Sequence, residues 1–114
     1  MDTLKLQLKE SVIKVLQDYM DFLGEDPETQ LELIIDEKND RYLLVELGWQ
    51  NDRRIYGTIL HLDIIRDKIW IQQDGTEEGI AIELVALGIP KHQIVLGFKC
   101  EERRRITDFA LLIS

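Results

Sequence analysis

Cysteine is nearly missing from this chain: Cys100 is the only one among 114 residues. No internal disulfide can form, and too few soft ligands exist for a structural zinc, which fits a reducing compartment. No apolar run approaches the roughly 20 residues of a membrane-spanning helix. The opening Met1-Asp2-Thr3-Leu4-Lys5 also lacks the basic-then-apolar layout of a secretion signal. The expectation is a cytoplasmic protein with no membrane association. Positive charge is in deficit as well, 14 Lys and Arg against 22 Asp and Glu, for a formal net charge of -8. Nucleic acid and acidic lipid are poor partners for such a field, and a protein with a basic surface is the natural complement. The Gly-x-Ser-x-Gly, phosphate-loop and dinucleotide fingerprints are missing too, since Gly75, Gly79 and Gly88 are spaced by turns and helix ends. Without linker, repeat or low-complexity segment, residues 1–114 read as one domain.

What is present is a strong alternation of periods. Leu8, Val12, Val15, Leu16, Tyr19 and Leu23 recur at helical spacing, with Lys9, Glu10, Lys14, Gln17, Asp18 and Asp21 on the other side, so a helix is predicted over about Thr3 to Leu23. Gly24 and Pro27 end it. From Gln30 the period becomes two: Leu31, Leu33 and Ile35 alternate with Glu32 and Asp36. The Glu37-Lys38-Asn39-Asp40, Asn51-Asp52 and Arg66-Asp67 turns then divide the chain into a meander of four antiparallel strands ending near Gln73. Asp74-Gly75-Thr76-Glu77 reads as a helix start, with Asp74 or Thr76 as cap and Glu77 and Glu78 at the positive end of the dipole. Ile80, Leu84 and Leu87 give that helix one buried face for about three turns, and Gly88 and Pro90 stop it. A short strand over Ile94 to Phe98 and a last strand over Phe109 to Ile113 complete the reading: an α+β fold in which an antiparallel sheet meander carries a long N-terminal helix and a short second helix on one face.

With two-residue loops at Asn51-Asp52 and Arg66-Asp67, Leu43, Val45, Leu47, Trp49, Tyr56, Thr58, Leu60, Leu62, Ile64, Ile69 and Ile71 share one apolar face. The opposite face then mixes Leu44, Glu46, Ile55, Gly57, Ile59, His61, Asp63, Trp70 and Gln72, a combination that calls for a cover, either the protein's own helices or another chain.

Candidate chemistry is sparse. His61 and Asp63 lie on the same side of one strand, a spacing that suits a carboxylate-oriented base or two metal ligands, yet no third ligand or nucleophile accompanies them. A small metal-dependent hydrolase would recruit Asp74 and Glu77 as well, although helix capping explains Asp74, Glu77 and Glu78 without a metal. Asp36-Glu37-Lys38, after Pro27-Glu28, imitates a nuclease Asp-x-Lys pattern but falls in a hairpin turn. Arg103-Arg104-Arg105 is the main basic cluster and Arg53-Arg54 a smaller one; Glu101, Glu102 and Asp108 cancel much of the field of the first, which speaks against direct DNA contact.

A longer set of residues carries a resemblance. Glu46-Leu47-Gly48-Trp49, Arg54-Ile55-Tyr56-Gly57, His61-Leu62-Asp63, the string from Lys68 to Glu77 (KIWIQQDGTE), Gly79-Ile80-Ala81, Gly88-Ile89-Pro90-Lys91 and Ile94-Val95-Leu96-Gly97-Phe98 resemble the XisI family, cyanobacterial controlling factors for excision of the fdxN element. The chain departs from the family pattern at Arg66-Asp67, where Asp-Gly is common, and at Lys99-Cys100-Glu101, where His followed by Pro is common. The resemblance implies a non-enzymatic accessory role in programmed site-specific DNA excision, with no catalytic residues, metal or cofactor to carry over. It also implies a protein partner, a XisH-like factor whose family resembles nucleases, with a recombinase engaged only indirectly. An antitoxin-like inhibitor of a nuclease-like partner is the alternative. The docking patch expected for the partner is Ile59, His61, Asp63, Trp70 and Gln72, and the apolar chain end makes a homodimer an expectation.

Overall fold

The computed structural model describes residues 3–105 together with Thr107 and Phe109. Helix α1 (Thr3–Leu23) buries Leu8, Val12, Val15 and Leu16, the centre of the stripe its sequence predicts. Gly24 ends it at φ +70°, its N–H donating to the Met20 carbonyl at 3.2 Å. The charges on α1 run against its own dipole: its first turn holds no acid and its last turn no base. The lysines at the start are compensated from elsewhere. Lys5 lies 2.9 Å from Asp40 and Lys9 2.8 Å from Glu37, so the turn after the first strand is strapped to the helix.

The sheet has the order β1 (Thr29–Asp36), β2 (Arg41–Gln50), β3 (Arg53–Ile65), β4 (Lys68–Asp74) and β5 (Ile94–Leu96). The first four strands form the predicted antiparallel meander, and β5 runs parallel to β4. Parallel pairing needs a crossover, which α2 (Ile80–Ala86) supplies. Both tight hairpins are two-residue loops with left-handed φ throughout: Asn51 +49° and Asp52 +66°, Arg66 +49° and Asp67 +62°. That is the conformation that matches strand twist, here adopted without glycine. The first turn is held by Asp36, whose carboxylate accepts from the Asn39 amide N–H at 3.1 Å and side chain at 2.9 Å. Those two bonds, side chain first, hold the Asp36 carboxyl below its usual range.

Two β-bulges change the predicted faces. Leu44 pairs Leu60 while Val45 pairs Thr58, leaving Ile59 as an extra residue in β3. His61 pairs Gln73 while Leu62 pairs Ile71, leaving Gln72 extra in β4. A bulge reverses the facing of everything beyond it. Tyr42 and Leu44 therefore join Leu60, Leu62, Ile64, Ile69 and Ile71 in the core under the helices. Leu44 was expected on the opposite face. Ile59 was also expected there, but it packs against this core. Conversely, Leu43, Val45, Leu47, Trp49, Tyr56 and Thr58 lie on the face away from the core, where Val45 pairs Thr58, Leu47 pairs Tyr56 and Trp49 pairs Arg54, and Trp49 and Tyr56 are 58% and 76% exposed.

The second helix also begins later than expected. Residues 75–79 form a loop, α2 is only seven residues long, and of its acids only Glu83 lies in the first turn. Ile80, Ala81 and Leu84 are buried, whereas Leu87 is the exposed end residue. Asp74 does act as the cap, at a distance. Its Oδ2 accepts from the Ile80 N–H at 2.8 Å and its Oδ1 from the Thr76 N–H at 2.9 Å and hydroxyl at 2.6 Å, while the Thr76 hydroxyl accepts from the Gly79 N–H at 3.0 Å. The bulge at Gln72 makes this possible by turning Asp74 to the helix side. After Leu96 the chain folds over the far face of β4 and forms a short helix, α3 (Glu101–Arg104). The strand expected over Phe109 to Ile113 lies outside the described residues beyond Phe109, which packs against the core.

Candidate functional site

The sheet face away from α1 carries a small polar network at its β3–β4 end. Asp63 is 7% exposed, the only buried charged residue among those described. Its Oδ1 lies 2.8 Å from His61 Nε2, and its Oδ2 accepts from the Gln72 amide at 3.3 Å. The strand period places His61 beside Asp63. The β4 bulge delivers Gln72 to the same carboxylate.

Trp70, paired with Asp63 across the strands, closes this network on one side. A side chain at Gly97 would sit 2.9 Å from the Trp70 ring and 2.8 Å from the Gln72 side-chain oxygen, so glycine lets the backbone lie directly on them. The Phe98 N–H donates to the Ile71 carbonyl at 3.1 Å, and the Arg104 guanidinium stacks 5.5 Å from the Trp70 ring centre. The Trp70 indole N–H is buried there with no hydrogen-bond partner among the described residues. The cover that the mixed face calls for is thus supplied at Trp70 and Gln72 by the chain's own residues 97–104. Ile59 stands apart from the other four patch residues, on the core side.

The hydrolase set is not assembled. His61 and Asp63 lie on the sheet face away from the core, whereas Asp74 reaches α2 on the other side of the sheet and Glu77 is on the exposed loop. Among the described residues no three His, Cys, Asp or Glu side chains converge as metal ligands would. Three residues of the basic clusters are engaged internally: Arg105 pairs Glu101 at 3.3 Å, Arg104 covers Trp70, and Arg54 lies over Trp49 at 5.3 Å and Tyr56 at 5.9 Å.

A groove lies elsewhere, between the C-terminal half of α1 and the 76–79 loop. It encloses about 650 Å³ and is open to solvent. Val15, Tyr19, Phe22 and Ile80 supply apolar lining, and Asp18, Glu77, Glu78 and Glu83 supply carboxylates. Tyr19 and Phe22 stack with ring centres 5.9 Å apart, and Phe22 is 80% exposed.

The family model for XisI protein matches residues 1–111. The chain belongs to the XisI family. A solved XisI-like protein from Anabaena variabilis is 36% identical, with a TM-score of 0.88 over 94% of this chain and 98% of that one. The fdxN element excision controlling factor XisI from Anabaena variabilis is 35% identical, with a TM-score of 0.84 over 97% of this chain and all of the other. A comparison with curated proteins finds no match. The α+β arrangement above is therefore the XisI fold, and no helix among the described residues is long and apolar enough to cross a membrane. In this XisI-family chain, sequence patterning located the His61–Asp63 pair but missed the groove. Phe22 continues the apolar stripe three residues beyond Tyr19, past the point where the helix buries it, and an aromatic residue at that end of the stripe was the available signal.

Proposed function

We propose that the protein is an excision controlling factor that acts by binding a protein partner in the cytoplasm and performs no chemistry of its own. The observation that carries this is the match to the XisI family across nearly the whole chain, with similarity to a solved excision controlling factor over all of that protein's length. The dispersal of His61, Asp63, Asp74 and Glu77 to different surroundings supports a binding role over a hydrolytic one. The net charge of -8 supports contact with a basic protein rather than with DNA directly. A XisH-like protein is the proposed partner, with the recombinase affected through it.

The test is co-expression of the chain with a XisH-like protein from the same genome, followed by size-exclusion chromatography and an excision assay on a plasmid carrying an element's borders. A stoichiometric complex, and excision that depends on both proteins, are expected. Excision that proceeds equally without this chain, or no complex at any salt concentration, would overturn the reading.

A further inference from the structure

We infer that the groove between α1 and the 76–79 loop is the contact surface for the partner, and that its occupant is a basic amphipathic helical segment. The inference rests on the partner-binding reading and adds to it a place and a chemistry.

Three observations carry it. The first is unburied apolar surface where the fold does not require it. Phe22 is 80% and Leu23 41% exposed, and both follow Tyr19 on the last turns of α1, beside the groove. Single exposed apolar residues are ordinary, but an aromatic ring stacked on a second aromatic at the lip of a cavity is a preformed anchor site. Phe22 and Leu23 together are apolar surface of the kind that a protein segment buries on docking.

The second is charge. Among the described residues no Lys, Arg or His lines the groove, and Glu77, Glu78 and Glu83 form its far wall. A second groove on the other side of α1, of about 860 Å³, shares Leu23 and is lined by Asp21, Glu25, Asp26 and Glu46, again with no basic residue among those described. Phe22 and Leu23 thus form an apolar ridge between two acidic walls. Such a surface selects a segment with apolar side chains on one face and Lys or Arg on its flanks. It also disfavours a second copy of this chain in a two-fold contact, which would set the same carboxylates against one another.

The third is placement on the helix. The C-terminal end of α1 already carries the negative pole of the dipole, and its last turn holds Asp21 and no base. At the other end of α1, the unfavourable lysines are matched by Asp40 and Glu37 from the hairpin. At this end Asp18 is paired with Lys14, at 2.9 Å, from its own helix rather than from another element. A cationic segment from another protein completes the pattern.

The test uses the full chain and a fluorescent synthetic helix of about 14 residues, long enough to cross the roughly 12 Å of α1 from Val15 to Leu23, with Leu on one face and Lys on the other. A scrambled peptide of equal composition is the control. Binding in the micromolar range is expected, with amide shifts in an NMR titration centred on Tyr19, Phe22 and Gly79. Phe22→Asp, at an exposed position that does not threaten folding, and Glu77→Lys with Glu78→Lys should each weaken binding about tenfold. Trp49→Ala, on the far sheet face, should leave it unchanged. Equal binding of the scrambled peptide, shifts centred elsewhere, or indifference to both groove variants would overturn the inference. So would a mass corresponding to a dimer that Phe22→Asp converts to a monomer. The same variants then go into the XisH-like complex. A complex that forms and ignores them removes the groove but keeps the partner reading; peptide binding in the groove with no complex does the reverse.

Discussion

Tyr42 offers a stability measurement with a worked sign. Its side chain is fully buried in the core under the helices, with the Asp40 carboxylate close to its hydroxyl. Burial, and then the negative charges of Asp40 and Glu37, push its phenol up from 10.0 to about 12. The folded state therefore keeps a proton that the unfolded chain gives up first. Stability from this group is intact below pH 10, falls between pH 10 and about 12, and is fully lost above that. Two pH units at about 1.4 kcal/mol each amount to roughly 2.7 kcal/mol. Tyr42→Phe removes the titration together with the hydroxyl beside Asp40, so at pH 7 the two proteins should differ by no more than about 1 kcal/mol. Urea unfolding of both proteins at half-unit steps from pH 7 to 11.5 is the assay, and the difference between them isolates Tyr42 from every other alkaline titration. The gap should open in favour of the Tyr42→Phe variant from pH 10 upward. Parallel curves across that range would refute the reasoning, because they would mean that the hydroxyl ionises as easily folded as unfolded.

Gly48→Ala should cost about 1–3 kcal/mol, since a Cβ there would clash with the Glu28 carbonyl oxygen and lie 2.8 Å from Thr29 Cα. Faster amide exchange at Trp49, which donates to that carbonyl, should accompany the loss, whereas Gly57→Ala, with nothing within 4 Å, should be silent by both measures. Replacing Arg66 and Asp67 by Asn and Gly should relieve two non-glycine residues at φ +49° and +62° and raise the thermal midpoint, by about 4–6 °C for roughly 1 kcal/mol, as read by calorimetry. An unchanged midpoint would mean that the turn is unstrained. Asp74→Ala removes the acceptor of three hydrogen bonds and should destabilise by about 2 kcal/mol in chemical denaturation, with Asp74→Asn intermediate.

The parts of the fold that sequence made legible are those fixed by local chemistry. The stripe of Leu8, Val12, Val15 and Leu16 and the stop at Gly24 defined α1, and Asn51-Asp52 and Arg66-Asp67 marked two-residue turns although neither contains glycine. Faces of the sheet were less legible because both bulges are made of ordinary strand residues, Ile59 and Gln72, with no glycine to announce them. From there the error propagated: Trp49 and Tyr56 were expected on one apolar face with Leu60 and Leu62, and they stand exposed on the other. The His61–Asp63 pair followed from strand period alone. Its cover did not, because the contact of Gly97 with Trp70 joins residues that no local pattern links. The groove stayed hidden for a related reason: Glu77 and Glu78 read as the first turn of a helix that begins only at Ile80.

The bulge at Ile59 also bears on how relatives of this chain are to be aligned. A strand with one extra residue has two phases, and a relative lacking that residue would present residues 53–58 to the opposite side while every neighbouring position still matched by name. An alignment that slides a gap by a few places along β3, at almost no cost in score, would then equate a solvent-facing Tyr56 with an inward residue. Substitution patterns at 54–58 are therefore interpretable only after the gap has been anchored on the Leu44–Leu60 pair, before the bulge intervenes.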